Sequence, residues 1–227
     1  ISFRDIYDIN TMLDYCKTKK NAVVIGGGLL GLEAAYGLKQ RGMNVTVLHL
    51  MDRIMERQLD SKASQMLRHS IEQKGISIIT EANTEALVGV DGHVTQIRLK
   101  DGTVLEADLV VFAVGIRPNM ALAQSAGLRC NRGVLVNDTM QTFDPSIYAV
   151  GECIEHRNQT FGLVEPLWGQ AFICASHLAE HGSLTFKAPT VPTQLKVSGC
   201  DVFSAGNFEP KDDFEDIILN DEKRQIY

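Results

Sequence analysis

Three glycines in a short turn are the residues of this chain whose spacing most clearly serves chemistry. Gly26, Gly28 and Gly31 fit the pattern G-x-G-x-x-G. They lie between an apolar run at 22–25, which predicts a buried parallel strand, and a helical pattern at 29–40. In such a turn the glycines allow a tight bend, a close approach of the backbone to phosphates, and close packing of helix on strand. The phosphates of a dinucleotide would then lie at the helix N-terminus.

The elements around this turn predict an α/β nucleotide-binding domain. An apolar run at 45–48 supplies a second strand, which completes a βαβ unit. Asp60 and Gly75 bracket a second helical pattern as its N-cap and its stop, and residues 76–79 supply a third strand. The order βαβαβ is typical of a mononucleotide-binding half. The alternative is that the glycines form a structural bend in an unrelated α/β domain.

The period of the apolar residues changes beyond residue 84. Alternating residues over 84–107, with Asp-Gly pairs at 91–92 and 101–102, predict an antiparallel meander. The apolar run at 108–114 predicts a return to the buried parallel sheet. Glycine and proline at 115–119 then break the pattern, so we expect a domain boundary there.

Shorter elements are expected on both sides of this region. An amphipathic helix over 5–18 precedes the first strand, and alternation from residue 193 predicts further strands. The acidic run at 211–216 is expected to be a solvated turn or edge. Residues 120–182 carry a further set of patterns. They predict a helix near 120–126, a β segment at 133–137, a strand at 146–151, and a helix that begins near Pro166 and ends at Gly182.

Composition argues against several kinds of partner. The net charge is −6 and the pI is about 5.5, with no cluster of Lys and Arg, which disfavours a nucleic-acid or anionic-membrane surface. The longest apolar run is the length of a strand, far short of the roughly 20 residues that a membrane helix needs. The N-terminus lacks the basic and apolar regions of a secretory signal. We therefore expect a cytoplasmic protein with no nucleic-acid and no membrane partner.

The cysteines are widely separated and form no metal-ligand pattern, so we predict no metal site. Their spacing fits a reducing cytoplasm, and it excludes a local iron–sulfur motif and a dithiol pair close in sequence. The absence of an initial Met and the ending at 221–227 suggest a piece of a longer protein. The five cysteines are Cys16, Cys130, Cys153, Cys174 and Cys200.

A second motif delivers a carboxylate to the end of a strand. In TFDPSIYAVGEC, residues 142–153, Gly151 and Glu152 follow the predicted strand. Ligands bind at the carboxyl ends of the strands in open α/β sheets, where a carboxylate accepts hydrogen bonds from sugar hydroxyls. The motif resembles the second flavin-binding motif of the FAD-dependent pyridine nucleotide reductases, with Glu152 in place of the usual Asp. The alternative is a surface acid after a buried strand.

Longer segments carry a more specific resemblance. The stretches HLMDRIMERQLD, AVGIRPN, IYAVGECIEHR, PLWGQA and LKVSGCDVFSAGNF together resemble the large subunit of the NAD(P)H-dependent nitrite reductases, within the FAD-dependent pyridine nucleotide-disulfide oxidoreductase superfamily. The resemblance runs over nearly the whole chain. It implies an α/β fold with a Rossmann-like NAD(P)-binding domain and its meander at 1–117, part of an FAD-binding domain at 118–187, and the start of a C-terminal α+β interface domain at 188–227.

The same resemblance implies a diaphorase function. NAD(P)H would give a hydride to FAD, and the electrons would pass to iron–sulfur and sirohaem centres that reduce nitrite to ammonia. In that family the first FAD fingerprint lies upstream of Ile1, and the cysteine clusters of the other centres lie downstream of Tyr227. We therefore expect this chain to hold FAD poorly by itself and not to reduce nitrite alone.

The resemblance also implies which residues meet the nucleotide. Glu33 resembles an acid on the nicotinamide side of the cleft, although an exposed helix glutamate fits the sequence equally well. Val114 and Gly115 would pass under the nicotinamide. The pyrophosphate is assigned to the glycine turn and the start of the helix, namely Gly26, Gly28, Leu29, Leu30 and Gly31.

Position 49, at the end of the second strand, normally selects between NADH and NADPH. An acid there hydrogen-bonds the ribose of NAD, whereas basic groups accommodate the phosphate of NADP. Here it is His49, which can serve a ribose when neutral, while Arg53 and Arg57 could reach a phosphate. The sequence favours NADH.

Around the flavin, Gly151 and Glu152 would meet the ribitol. Pro166, Leu167 and Trp168 would approach the isoalloxazine, with the positive end of their helix toward the flavin. Trp168 fits equally well as a core anchor. Cys153 is expected to be a packing residue and His156 a loop residue.

No catalytic side chain is predicted, because hydride transfer between nicotinamide and flavin depends on positioning rather than on a protein acid or base. The expected partners are NADH or NADPH, the electron-acceptor domains or subunit of the same enzyme, and a second copy in a homodimer. A rubredoxin- or ferredoxin-reductase-like flavoprotein is the nearest alternative. A non-catalytic NADH-binding module is a further one.

Overall fold

The computed structural model describes residues 1–180, 182–197, 200–206, 217–221 and 226–227. Contacts divide the chain into two units: Ile1–Val114 with Pro192–Tyr227, and Gly115–Val191. The predicted domains at 1–117, 118–187 and 188–227 stay a prediction. In the described part of the chain, no helix has the length and apolar character needed to cross a bilayer.

The first unit is built on a parallel sheet that the sequence predicted. It contains α1 (Ile6–Cys16), β1 (Asn21–Ile25), α2 (Leu29–Gln40), β2 (Asn44–Leu48), α3 (Ser61–Gln73), β3 (Ile76–Ile79) and β7 (Leu109–Phe112). The strand order is β3-β2-β1-β7, with all pairs parallel. Val24 at the centre of β1 is fully buried, as expected for a strand that is covered on both faces.

The helix boundaries follow from local chemistry. The carboxylate of Asp60 accepts a hydrogen bond from the backbone N–H of Ala63 at 2.8 Å and caps α3, as predicted. Asp5 and Asp8 form a capping box at the start of α1. In contrast, α2 begins at Gly28 with no side-chain cap.

The predicted meander is also present. It comprises β4 (Thr84–Val90), β5 (His93–Leu99) and β6 (Val104–Glu106), paired antiparallel in that order. Ile97 and Leu99 are buried and pack with Val23, Leu48 and Val110 of the parallel sheet. The meander therefore covers one face of that sheet.

The strands predicted from residue 193 belong to the first unit. They form the hairpin β11 (Thr193–Val197) and β12 (Cys200–Ser204). Leu195 is buried in the core that contains α2 and α3, and the hydroxyl of Ser204 donates to the carbonyl of Gln58 at 2.6 Å. The acidic run at 211–216 lies outside the described residues.

The second unit is smaller and more irregular. It contains α4 (Ala121–Ser125), β8 (Val134–Leu135), β9 (Ile154–His156), β10 (Gln159–Thr160) and α5 (Val164–Leu178). Strand β9 pairs parallel with β8 and antiparallel with β10. The core of the unit consists of Met140, Ile154, Phe161, Ile173 and Phe186. The predicted helix at Pro166 is confirmed, although it ends at Leu178, four residues before Gly182.

The strand predicted at 146–151 is wrong. Its backbone instead closes a local hairpin: the N–H of Thr142 donates to the carbonyl of Ile147 at 2.9 Å, and the N–H of Ala149 donates to that of Met140 at 3.0 Å. A single isolated bridge, between Gln141 and Tyr148, is all the β pairing that the described residues give this segment. The residues of this run are partly buried or exposed rather than fully buried, and their backbone hydrogen bonds close a turn.

Candidate functional site

Packing fixes the path of the glycine turn between β1 and α2. Gly26 has φ of +120°, and a Cβ there would lie 2.2 Å from the carbonyl oxygen of Ala113. A Cβ on Gly31 would lie 1.8 Å from the carbonyl oxygen of Gly26. Both distances are far below contact, so only glycine lets α2 approach the end of β1. These two glycines therefore shape the fold.

Gly28 differs from them because the space beside it is open. A Cβ built there would meet no atom within 4 Å, and its backbone is extended, with φ of −87° and ψ of −174°. Gly28 is the N-cap of α2, so the backbone N–H groups of Leu29, Leu30 and Gly31 form the first turn of an uncapped helix. An uncapped N-terminus beside open space suits a phosphate, both by its N–H groups and by the helix dipole.

His49 is almost fully buried against this turn. Its Nδ1 accepts a hydrogen bond from the N–H of Gly27 at 3.0 Å, and its Nε2 lies 3.0 Å from a carboxylate oxygen of Glu56. Because Nδ1 is the acceptor, the ring hydrogen is on Nε2 and points to Glu56. Both nitrogens of His49 are therefore engaged within the protein, and its direct contact with a ribose stays a prediction.

The charged residues that follow β2 form close pairs. Arg53 lies 3.6 Å from Asp52, and Arg57 lies 3.9 Å from Glu56. The Nε of Arg53 is buried without a hydrogen-bond partner among the described residues. The sequence pattern does not single out Glu56, because this residue lies in an irregular segment that follows no helical or strand period. An acid eight residues beyond the end of β2 was the available signal.

Two further predicted residues lie near the turn. Glu33 is half-buried on α2, and burial raises the pKa of its carboxyl. Val114 is mostly exposed and follows Ala113, whose N–H donates to the carbonyl of Ile25 at 2.8 Å. Val114 thus sits at the end of the parallel sheet beside Gly26. Gly115, with φ of +95°, is the first residue of the second unit.

The residues predicted to meet the flavin lie in the second unit. Gly151 has φ of +103°, a Cβ there would meet nothing within 4 Å, and its N–H donates to the side-chain oxygen of the buried Gln170 at 2.8 Å. Glu152 follows it in this turn. The contact ties the turn to α5, whose N-terminus has no side-chain cap.

The start of α5 presents residues of different exposure. Pro166 is buried, Leu167 packs partly against the core, and Trp168 is 73% exposed. The core-anchor interpretation of Trp168 is therefore wrong for this unit, because most of the indole has no protein around it. Trp168 remains open to a ligand or partner.

Cys153 and His156 can be placed directly. Cys153 packs partly against the core of the second unit, and burial raises the pKa of its thiol. His156 was expected in a loop, but it lies in β9, where it is 2% exposed and its Nε2 is 2.8 Å from Asp138. The five cysteines are free, and the described residues contain no cluster of His, Cys, Asp and Glu that could hold a metal ion.

Comparisons with known proteins agree with this architecture. A family model for pyridine nucleotide-disulphide oxidoreductases matches residues 2–171, and one for the rubredoxin NAD+ reductase C-terminal domain matches residues 192–227. A persulfide reductase from A. fulgidus, described as NAD-dependent, has a similar structure, with a TM-score of 0.82 and 30% identity. The match covers 89% of this chain and 38% of that one.

Curated relatives are similar over the whole length of this chain. Nitrite reductase [NAD(P)H] of Bacillus subtilis (strain 168) is 51% identical, over 100% of this chain and 28% of its own length. The assimilatory nitrate reductase electron transfer subunit of the same organism is 42% identical, over 99% of this chain and 29% of its own. The chain thus spans less than a third of these relatives.

The predicted resemblance to the nitrite reductases and the predicted Rossmann-like fold are both confirmed by these matches. The first family model covers well over half of the chain, including the glycine turn and the Gly151–Glu152 turn. This chain belongs to the pyridine nucleotide-disulphide oxidoreductase family.

Proposed function

We propose that this chain is the NAD(P)H-binding part of a flavoprotein nitrite reductase. In the proposed reaction, a hydride passes from NAD(P)H to FAD, and the electrons continue to iron–sulfur and sirohaem centres carried outside residues 1–227. The observation that carries the proposal is the uncapped N-terminus of α2, which faces open space at Gly28. A pyrophosphate needs such a site, and a Cβ on Gly28 would meet no atom within 4 Å.

The nucleotide contacts are proposed from this geometry. The N–H groups at 29–31 would bind the pyrophosphate, while Glu33 and Val114 would lie toward the nicotinamide. None of these side chains acts as a general acid or base in the proposal. Their contribution is to hold the reduced ring in one orientation and keep water away from it.

The flavin contacts are proposed on the second unit. Gly151 leaves room where a Cβ would stand, and the helix α5 begins without a side-chain cap. These features suit a flavin held by Gly151, Glu152, Pro166, Leu167 and Trp168, with the positive helix end toward the ring. When bound, FAD supplies the chemistry of accepting a hydride and releasing electrons one at a time.

A second candidate is a reductase that serves a separate electron-carrier protein. It is favoured by the match of residues 192–227 to the C-terminal domain of rubredoxin NAD+ reductase. Both candidates share the step from NAD(P)H to FAD and differ only in the acceptor. A homodimer and a cytoplasmic location remain part of the proposal.

The experiment is an anaerobic reduction of the FAD-loaded full-length protein by NADH, followed by flavin absorbance. The proposal predicts bleaching of the flavin with NADH and its recovery when nitrite is added. Recovery with rubredoxin but not with nitrite would favour the second candidate. If the flavin stays oxidised while NADH binds, the chain is a non-catalytic nucleotide-binding module and the proposal fails.

A further inference from the structure

The segment after β2 is held against the glycine turn by its backbone. The N–H of Met55 donates to the carbonyl of Gly27 at 3.0 Å, and the carbonyl of Ile54 accepts from the hydroxyl of Ser64 at 2.8 Å. Ile54 and Met55 are each 1% exposed. Glu56 follows directly, so its main chain has a fixed position relative to the turn.

The side chain of Glu56 is held there as well. Gly27 donates to Nδ1 of His49, and the opposite nitrogen of the ring donates to Oε2 of Glu56. The carboxylate therefore lies one imidazole ring away from the backbone of the turn. The side chain of Glu56 keeps 23% exposure, so it is anchored at one oxygen and reachable from solvent.

The second oxygen of this carboxylate is able to accept another hydrogen bond. The nearest described cation, the Nε of Arg57, is 3.9 Å from Oε1, beyond hydrogen-bond distance. The other basic side chain of the segment, Arg53, lies 3.6 Å from Asp52, which is also beyond hydrogen-bond distance, and its Nε is buried without a hydrogen-bond partner among the described residues. At the end of β2, the charged group that hydrogen bonds orient against the glycine turn is thus the acid Glu56.

We propose that Glu56 recognises the adenosine ribose of the bound nucleotide, and that His49 acts only as its positioning residue. In this class of sheet, ribose hydroxyls lie at the end of the second strand, where a carboxylate accepts their hydrogen bonds. Glu56 accepts a hydrogen bond from the 2′-hydroxyl of NADH and repels the 2′-phosphate of NADPH. This inference rests on the proposed nucleotide site, and it names the residue that makes the site prefer NADH.

The test is a calorimetric titration of the chain with NADH and with NADPH, in the wild type and in Glu56→Gln. The amide keeps the size of the side chain and an oxygen for His49, so the fold is retained, which thermal unfolding checks. Loss of a hydrogen bond to a charged acceptor weakens NADH binding by about tenfold or more. NADPH binding is unchanged or stronger, because the repulsion is gone.

Asp52→Asn is the matched control. It removes the same charge from the same segment, but Asp52 is exposed and is not tied to the glycine turn. We expect its NADH affinity to equal that of the wild type; only NADPH binding can gain, because Asp52→Asn removes the acid beside Arg53. An equal loss of NADH affinity in both variants would mean that net charge sets NADH binding, and it would overturn the role of Glu56.

A nucleotide that lacks the 2′-hydroxyl separates the remaining outcomes. With 2′-deoxy-NADH, the wild type should lose about as much affinity as Glu56→Gln loses with NADH, and the variant should lose little more. An undiminished preference for NADH over 2′-deoxy-NADH in Glu56→Gln would overturn the inference while leaving the nucleotide site intact. If the wild type binds no nucleotide, the proposed function itself fails.

Discussion

Gly31 and Gly28 are predicted to lose very different amounts of stability when the same methyl group is added. In Gly31→Ala the methyl would lie 1.8 Å from the carbonyl oxygen of Gly26, where side-chain carbons essentially never approach below 3.0 Å. The obstacle is backbone, so α2 must move away from β1. Gly28→Ala meets nothing within 4 Å and keeps an extended backbone that alanine adopts easily.

The size of the effect follows from opposing terms. Overpacking of this kind costs about 3 kcal/mol, and alanine recovers about 1 kcal/mol of helix propensity, which leaves a net loss of roughly 2 kcal/mol for Gly31→Ala. For a chain of this size, that corresponds to a fall in Tm of roughly 4 to 8 °C. Gly28→Ala should lose at most about 1 kcal/mol, as the difference between glycine and alanine at an N-cap.

Urea unfolding followed by circular dichroism measures both variants against the wild type. The expected order of stability is wild type, then Gly28→Ala close to it, then Gly31→Ala. Equal midpoints for Gly31→Ala and the wild type would refute the close approach of α2 to the turn. A larger loss in Gly28→Ala than in Gly31→Ala would refute the open space at the helix N-terminus.

Three further predictions concern buried and charged groups. Asp138→Ala should lower the free energy of unfolding by about 1–3 kcal/mol in urea titrations, because it leaves the buried Nε2 of His156 without its acceptor. Hydrogen bonds from Arg157 and His156 hold the pKa of Asp138 at about 2. In acid titrations, the wild type should therefore lose more stability than Asp138→Asn as the pH falls from about 4 to about 2. Burial raises the pKa of Glu33, so the charged carboxylate costs stability at neutral pH. In thermal unfolding at neutral pH, Glu33→Gln should therefore be at least as stable as the wild type. Any difference should vanish below about pH 4, where both side chains are neutral.

Each of these three predictions has a clear contrary result. An unchanged midpoint in Asp138→Ala would mean that His156 finds another acceptor. Parallel acid titrations of the wild type and Asp138→Asn would contradict the lowered pKa. A Glu33→Gln variant that is less stable than the wild type at neutral pH would show that the Glu33 carboxylate is stabilised by a contact rather than penalised by burial.

Much of the fold could be predicted because its determinants are local. The turn at Gly26 needs a positive φ, and the helix cap at Asp60 needs one carboxylate, so both are visible in a few consecutive residues. The meander is similarly marked by its Asp-Gly turns. These features are specified by short segments, and the structure shows them where they were expected.

Other features depend on contacts between distant residues. The run at 146–151 has the composition of a strand, but the hydrogen bonds from Thr142 and Ala149 close a hairpin instead. The partly buried contact between Ser70 and Cys200, at 2.7 Å, joins residues 130 positions apart. No apolar period or sequence motif predicts such pairs, because each pair depends on how separate elements pack.

In the candidate site, too, the local feature could be predicted and the contact between separate segments could not. The glycine turn was predicted, whereas the pairing of His49 with Glu56 was not. Position 49 was predicted to select between NADH and NADPH from its place at the end of β2. In the structure, both ring nitrogens of His49 make hydrogen bonds within the protein. The carboxylate that can reach a ligand is therefore that of Glu56, which lies in a segment without regular structure.

The central claim is that the N-terminus of α2 binds the pyrophosphate of a nicotinamide nucleotide. A calorimetric titration with NADH, run in parallel on the wild type and on Gly28→Val, tests it most directly. The account predicts saturable binding to the wild type and none to the variant, with the same far-ultraviolet circular dichroism spectrum for both. Equal NADH affinity in the two proteins would contradict the claim.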